Sequence, residues 1–130
     1  MNDGDWRMFF REARRVLGRG SSLPWDSESW CAWTTFSSLE HWLTYWTSGF
    51  PEEHELLDTT TMDGGTWRQA FQYREIAHVV VPATFYWERV VDSQFTCGRK
   101  HQDIEALARN LKELGISHRK TDLILEIKLY

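Results

Sequence analysis

From Trp25 to Asp63 the chain contains no lysine and no arginine, so no cation of either type answers the acids there. Cysteine and proline are also scarce, at two and three in 130 residues. Cys31 and Cys97 lie far apart and match no CxxC or zinc-ligand spacing, which leaves buried free thiols as the expectation. No apolar run approaches the roughly 20 residues a membrane helix needs. The start of the chain, with Asp3, Asp5 and Arg7, lacks the apolar segment of a signal peptide, so a cytoplasmic protein is expected. Phosphate-cradling loops are missing too: neither Gly64-Gly65 nor Gly98-Arg99-Lys100 fits a nucleotide motif, and both read as turns.

What is present is unevenly spread. Residues 1–24 carry a net charge of +2, residues 25–63 carry −8, and residues 64–130 carry +2, for a total of −4. That total opposes general nucleic-acid binding, which rests on Lys and Arg neutralising phosphates. The middle segment holds Asp26, Glu28, Glu40, Glu52, Glu53, Glu55, Asp58 and Asp63, together with Trp25, Trp30, Trp33, Trp42 and Trp46. One-signed charge beside large aromatic surface suits the gripping of a basic partner.

The length fits one domain spanning residues 1–130. A first helix is expected from the stripe Trp6, Phe9, Phe10, Ala13, Val16 and Leu17, with Asn2 or Asp3 as N-cap and Gly18 as its end. Arg7, Arg11, Arg14 and Arg15 then form a solvated face. Residues 18–29 read as loop and Trp30–Phe36 as a strand. Leu39, Trp42, Leu43 and Trp46 recur at helical spacing after a capping box at Ser37–Glu40, predicting a second helix stopped by Gly49 and Pro51. Thr59–Thr61 favour strand, and Asp63-Gly64-Gly65 signals a hairpin turn. Strand formers dominate Trp67–Val91, broken by a turn at Pro82-Ala83. Ile104, Leu107, Ala108, Leu111 and Leu114 mark a third helix capped by Gly115. In a final strand Leu123, Leu125, Ile127 and Leu129 face inward, while Ile124, Glu126, Lys128 and Tyr130 face out. The fold class is α+β: three helices and an antiparallel sheet of about four to six strands.

Catalytic signals are sparse. Asp122, Glu126 and Lys128 resemble the acid plus E-x-K pattern of restriction-type Mg²⁺-dependent nucleases, since residues two apart on a strand share a face. An amphipathic strand with a charged outer face explains the same residues. His54 among Glu52, Glu53, Glu55 and Asp58 offers metal-type ligands in a loop-like run, better read as a solvated acidic edge. Cys97 and His101, four apart, lack an orienting acid. No catalytic residue, metal or cofactor is expected. Trp6, Trp42 and Trp46 belong to the core, whereas Trp25 and Trp30 are candidate exposed anchors.

Three features carry a resemblance: the opening Trp6-Arg7-Met8-Phe9-Phe10 helix, the aromatic strands from Tyr73-Arg74-Glu75-Ile76 onward, and the closing helix-Gly-strand unit from Asp103-Ile104-Glu105 through Leu114-Gly115-Ile116 to Leu129-Tyr130. This layout resembles small bacterial immunity proteins of contact-dependent inhibition and other polymorphic toxin systems. The resemblance implies an antitoxin that binds a cognate toxin domain as a heterodimer, typically a basic nuclease, and blocks its active site through an acidic surface. No direct contact with nucleic acid or membrane is expected. The charge pattern places the expected partner-binding residues at Trp25, Asp26, Glu28, Glu52, Glu53, Glu55, Asp58 and Asp63. A nucleic-acid mimic aimed at another bacterial or phage protein shares the same features.

Overall fold

Asn2, one of the two caps the sequence offers, opens the first helix: its side chain accepts from the Asp5 N–H, and the Asp5 carboxylate accepts from the Asn2 N–H, a reciprocal cap. The computed structural model describes residues 1–61 and 66–130. The elements run α1 (Asp3–Leu17), β1 (Cys31–Thr35), α2 (Phe36–His41), β2 (Trp46–Ser48), β3 (Ile76–Pro82), β4 (Thr84–Val91), β5 (Gln94–His101), α3 (Ile104–Glu113), β6 (Arg119–Lys120) and β7 (Ile124–Lys128). Short 3₁₀ turns occupy Glu53–Glu55 and Tyr73–Glu75. Five strands form an antiparallel sheet in the order β2-β1-β3-β7-β6, and β4 with β5 make a separate two-stranded ribbon. The α+β class holds, with three helices.

One hydrophobic cluster joins α1 (Trp6, Phe9, Phe10, Ala13) and α3 (Ile104, Leu107, Leu111) to Trp33, Val79, Val81, Leu125 and Ile127 of the sheet. Its centre is aromatic: Trp67 stacks on Trp33 at 3.8 Å and meets Phe10 edge-on at 4.9 Å. Burying these rings is the main drive for folding. Residues 18–29 close over one side, where Gly20 and Gly49 let two backbone segments touch. A Cβ on Gly20 would stand 2.1 Å from the Phe50 carbonyl oxygen.

Several expectations change. The second helix stops at His41, and Thr35 rather than Ser37 caps it. Ser38 Oγ both donates to the Thr44 carbonyl and accepts from the Thr44 N–H, so side-chain bonding replaces the next helical turn. Leu43 takes φ 47, and the chain reverses so that Trp46 pairs with Trp33 across β1 and β2. Trp42 is consequently 59% exposed rather than core. Trp67–Phe71 is turn and irregular chain instead of strand, contributing Trp67 and Phe71 to the core. Thr60 and Thr61 make only isolated bridges, and the turn expected at Asp63-Gly64-Gly65 lies outside the described residues. In β7, Leu125 and Ile127 are buried as expected. Leu123, preceding the strand, is 77% exposed, and Glu126 on the opposite face is buried. Gly98-Arg99-Lys100 is no turn but part of the second half of β5, and Cys97 is exposed there.

Gln102 positions the ribbon. Its side chain is buried, accepts from the Trp30 N–H at 2.9 Å and donates to the Trp30 and Pro82 carbonyls at 2.9 Å. One amide thereby occupies both backbone groups of Trp30, as a neighbouring strand would. The Gln102 N–H also bonds the Ala83 carbonyl at 2.7 Å, fastening the two ribbon strands where they leave the body.

Candidate functional site

Of the expected partner-binding residues, those between 52 and 58 lie along α1. Arg7, Arg11 and Arg14 recur at helical spacing, and each meets this run. Arg11 Nε bonds both carboxylate oxygens of Glu53 at 2.7 and 2.8 Å. An Arg14 Nη lies 3.6 Å from Glu52, and Arg7 donates to the Asp58 carbonyl. Glu55 is not a surface acid. It is 5% exposed, and its carboxylate accepts from the Glu52 N–H at 2.8 Å and the Thr66 N–H at 3.0 Å, which gives it a structural task in the loop. Asp63 lies outside the described residues. The one-signed segment of the sequence is therefore a lattice of mixed charges in space.

The loop around Trp25 differs. Arg19 stands 3.5 Å from Asp26 and 3.8 Å from Glu28, so one guanidinium faces two exposed carboxylates. Trp25 is half-buried, with the Arg89 guanidinium 4.0 Å over its ring, and Trp30 stacks on Phe85 at 5.7 Å. Lys100 Nζ donates to the carbonyls of Ser27 at 2.7 Å and Trp25 at 3.0 Å, its short bonds tying the loop to the ribbon. Trp25, Asp26 and Glu28 thus form one surface with β4 and β5.

On the ribbon, directly opposed residues share a face. Phe85, Trp87, Arg89 and Lys100 face the body. Tyr86, Glu88, Val90, Phe95, Cys97 and Arg99 form the other face, and every one of them is exposed. Val90 and Phe95 are cross-strand partners at 68% and 59% exposure. Cys97 and His101, four residues apart on an extended strand, are separated by about 13 Å, which removes them as a metal or thiol–imidazole pair.

The open face of the main sheet carries a hydrogen-bonded chain that the sequence reading missed. Tyr45 Oη lies 2.7 Å from His78 Nδ1, His78 Nε2 lies 2.8 Å from Glu126, and Arg119 Nε holds the other oxygen of Glu126 at 2.8 Å. An ionised carboxylate only accepts, so His78 donates to Glu126 from Nε2, while its Nδ1 shares a hydrogen bond with the Tyr45 hydroxyl. The His78 hydrogen bond, with the Arg119 charge assisting, holds the Glu126 carboxyl below its usual range against the opposing effect of burial. Burial, helped by Tyr130, pushes the Tyr45 phenol up to about 12. Both Glu126 oxygens are engaged, and Asp122 precedes β7 in an exposed turn. Glu126 thus enters a structural network, while the exposed Lys128 lies over the Tyr130 ring. Pairing of Arg119 with Glu126 and of His78 with Lys128 follows from strand register, for which residue spacing gives no signal.

A cleft of about 410 Å³ is lined by Trp33, Trp46, Thr47, Trp67 and Arg68 among others. It offers, among the described residues, indole faces and the Arg68 guanidinium, with no acid–base pair. Among the described residues no group of three or more metal-ligating side chains converges, and no helix is long and apolar enough to cross a membrane. Comparisons with protein-family models, with curated proteins and with solved structures each found no match for this chain.

Proposed function

We propose that this chain is a non-enzymatic antitoxin of the immunity-protein kind, which binds a basic toxin domain, most simply a nuclease, as a heterodimer and covers its active site. The observation that carries this reading is the outer face of the ribbon: Tyr86, Val90 and Phe95 are large, exposed and unused by the fold. Such a row on a projecting element marks a protein contact. The contact surface combines this face with Trp25, Asp26 and Glu28, whose two carboxylates outnumber their one guanidinium. Glu52, Glu53 and Asp58 act with Arg7, Arg11 and Arg14 as a mixed-charge flank. A basic partner is steered by the net charge of −4 and seated by the apolar row.

The test is protection. The gene immediately upstream should encode a toxin domain, cells expressing that domain should grow when this chain is co-expressed, and the two purified proteins should form a one-to-one complex by light scattering. Val90→Ser with Phe95→Ser should weaken that complex at least about tenfold at unchanged melting temperature. Absence of both protection and complex overturns the reading.

A further inference from the structure

The ribbon exposes a backbone edge as well as side chains. Asp92 and Ser93 have φ 50 and 65, the signature of a two-residue turn closing on the hydrogen-bonded pair Val91–Gln94. Hydrogen-bonded and non-bonded pairs alternate from there, so Tyr86, Glu88 and Val90 direct their N–H and C=O groups away from β5. Among the described residues no backbone group outside the ribbon bonds to residues 84–91. The side chains of the same three residues lie on the exposed face. Tyr86 Oη donates to Glu88 Oε2 at 3.1 Å, orienting a carboxylate that has no ion-pair partner among the described residues.

We propose that the β4 edge receives an extended strand of the partner protein, antiparallel to β4, with a lysine or arginine opposite Glu88 and apolar residues two positions to either side. The main chain of that strand completes the hydrogen bonds of Tyr86, Glu88 and Val90, its cation meets Glu88, and its apolar side chains pack on Tyr86 and Val90. The sign of the partner's charge rests on the antitoxin reading above; the open edge does not. Two observations select this occupant. The β5 edge presents Arg99 among Phe95 and Cys97 and repels a basic strand. A second copy is disfavoured as well: the antiparallel register that sets Tyr86 against Val90 of another copy also sets Glu88 against Glu88.

The test uses the full isotope-labelled chain and a synthetic peptide, acetyl-Thr-Val-Thr-Lys-Thr-Ile-Thr-amide, in millimolar excess. A matched peptide with glutamate in place of the central lysine is the control. With the lysine peptide the amides of Tyr86, Glu88 and Val90 should shift and exchange at least about tenfold more slowly, while those of Phe95, Cys97 and Arg99 stay unchanged. The glutamate peptide should do neither, and Glu88→Lys should reverse the preference. Protection on the β5 edge, or none at the three amides, overturns strand addition; an equal response to both peptides overturns the cation opposite Glu88. Toxin protection with a silent peptide keeps the antitoxin reading and discards this edge; peptide docking without toxin protection does the reverse.

Discussion

β3 and β4 follow one another with only Ala83 between them, and both are rich in strand formers, yet they live in different surroundings. β3 sits in the middle of a five-stranded sheet, with Val79 and Val81 fully buried and His78 held by Glu126 on the other face. β4 has one neighbour, and from Glu88 onward its residues are all exposed. The contrast separates two jobs that look alike in sequence. A strand that builds the fold is held on both faces and both edges, whereas the ribbon is held on its inner face, by Gln102, Lys100 and the Trp25 and Trp30 rings, and leaves its outer face free.

This division makes the two regions fail differently. The largest effect belongs to the helix-covered face: Leu111→Ala truncates a fully buried side chain and should cost about 2–5 kcal/mol in denaturant melts. Gln102→Leu comes next, at about 2–4 kcal/mol, because it strands buried backbone groups of Trp30 and Pro82. It should also loosen the ribbon, visible as faster amide exchange through β4 and β5. Glu126→Gln should cost about 1–3 kcal/mol, measured by thermal melts, since His78 and Arg119 lose a charged acceptor. Glu126 also sets a pH dependence. Its folded pKa is lowered, so its contribution is present above its unfolded value and is lost as pH falls through the folded one. The wild type should therefore destabilise more steeply than Glu126→Gln over that acid range.

The smallest effects should come from the surface. Glu53→Lys sets a cation against Arg11, but with both side chains more than half exposed the change should stay below about 1 kcal/mol and shrink in high salt. Val90→Ser should move stability by no more than about 0.5 kcal/mol. A Val90→Ser chain that melts well below the wild type would erase the distinction between scaffold strand and docking strand.

The elements legible in the sequence were those with one buried face. The α1 stripe of Trp6, Phe9, Phe10 and Ala13, the α3 stripe of Leu107 and Leu111, and the alternation of Leu125 and Ile127 all follow core contact. β5 was invisible for the same reason: Gln94–His101 is exposed along most of its length, so no periodic apolar signal marks it, and Asp92-Ser93 lacks the Asn-Gly or Asp-Gly of a favoured hairpin turn. Periodicity reports burial rather than strand formation. The charge pattern misled because chain order ignores packing. The spacing of Arg7, Arg11 and Arg14 announced a basic stripe, but only the docking of residues 52–58 beside α1 brings it against the acids. On the open sheet face, Tyr45, His78, Arg119 and Glu126 come from four separate stretches, and no local pattern could assemble them.

Fastening the ribbon at its base and along its inner face has a consequence for how this protein can change. Positions 86, 88, 90 and 95 touch little else in the molecule, so their identities can drift without altering the scaffold. Strand pairing itself is carried by backbone groups, which substitution leaves in place. New side chains on the outer face would therefore alter which partner is accepted while the mode of acceptance persists. A lineage could exchange one recognition alphabet for another over an inherited frame, with Trp6, Trp33 and Trp67 preserving the fold beneath.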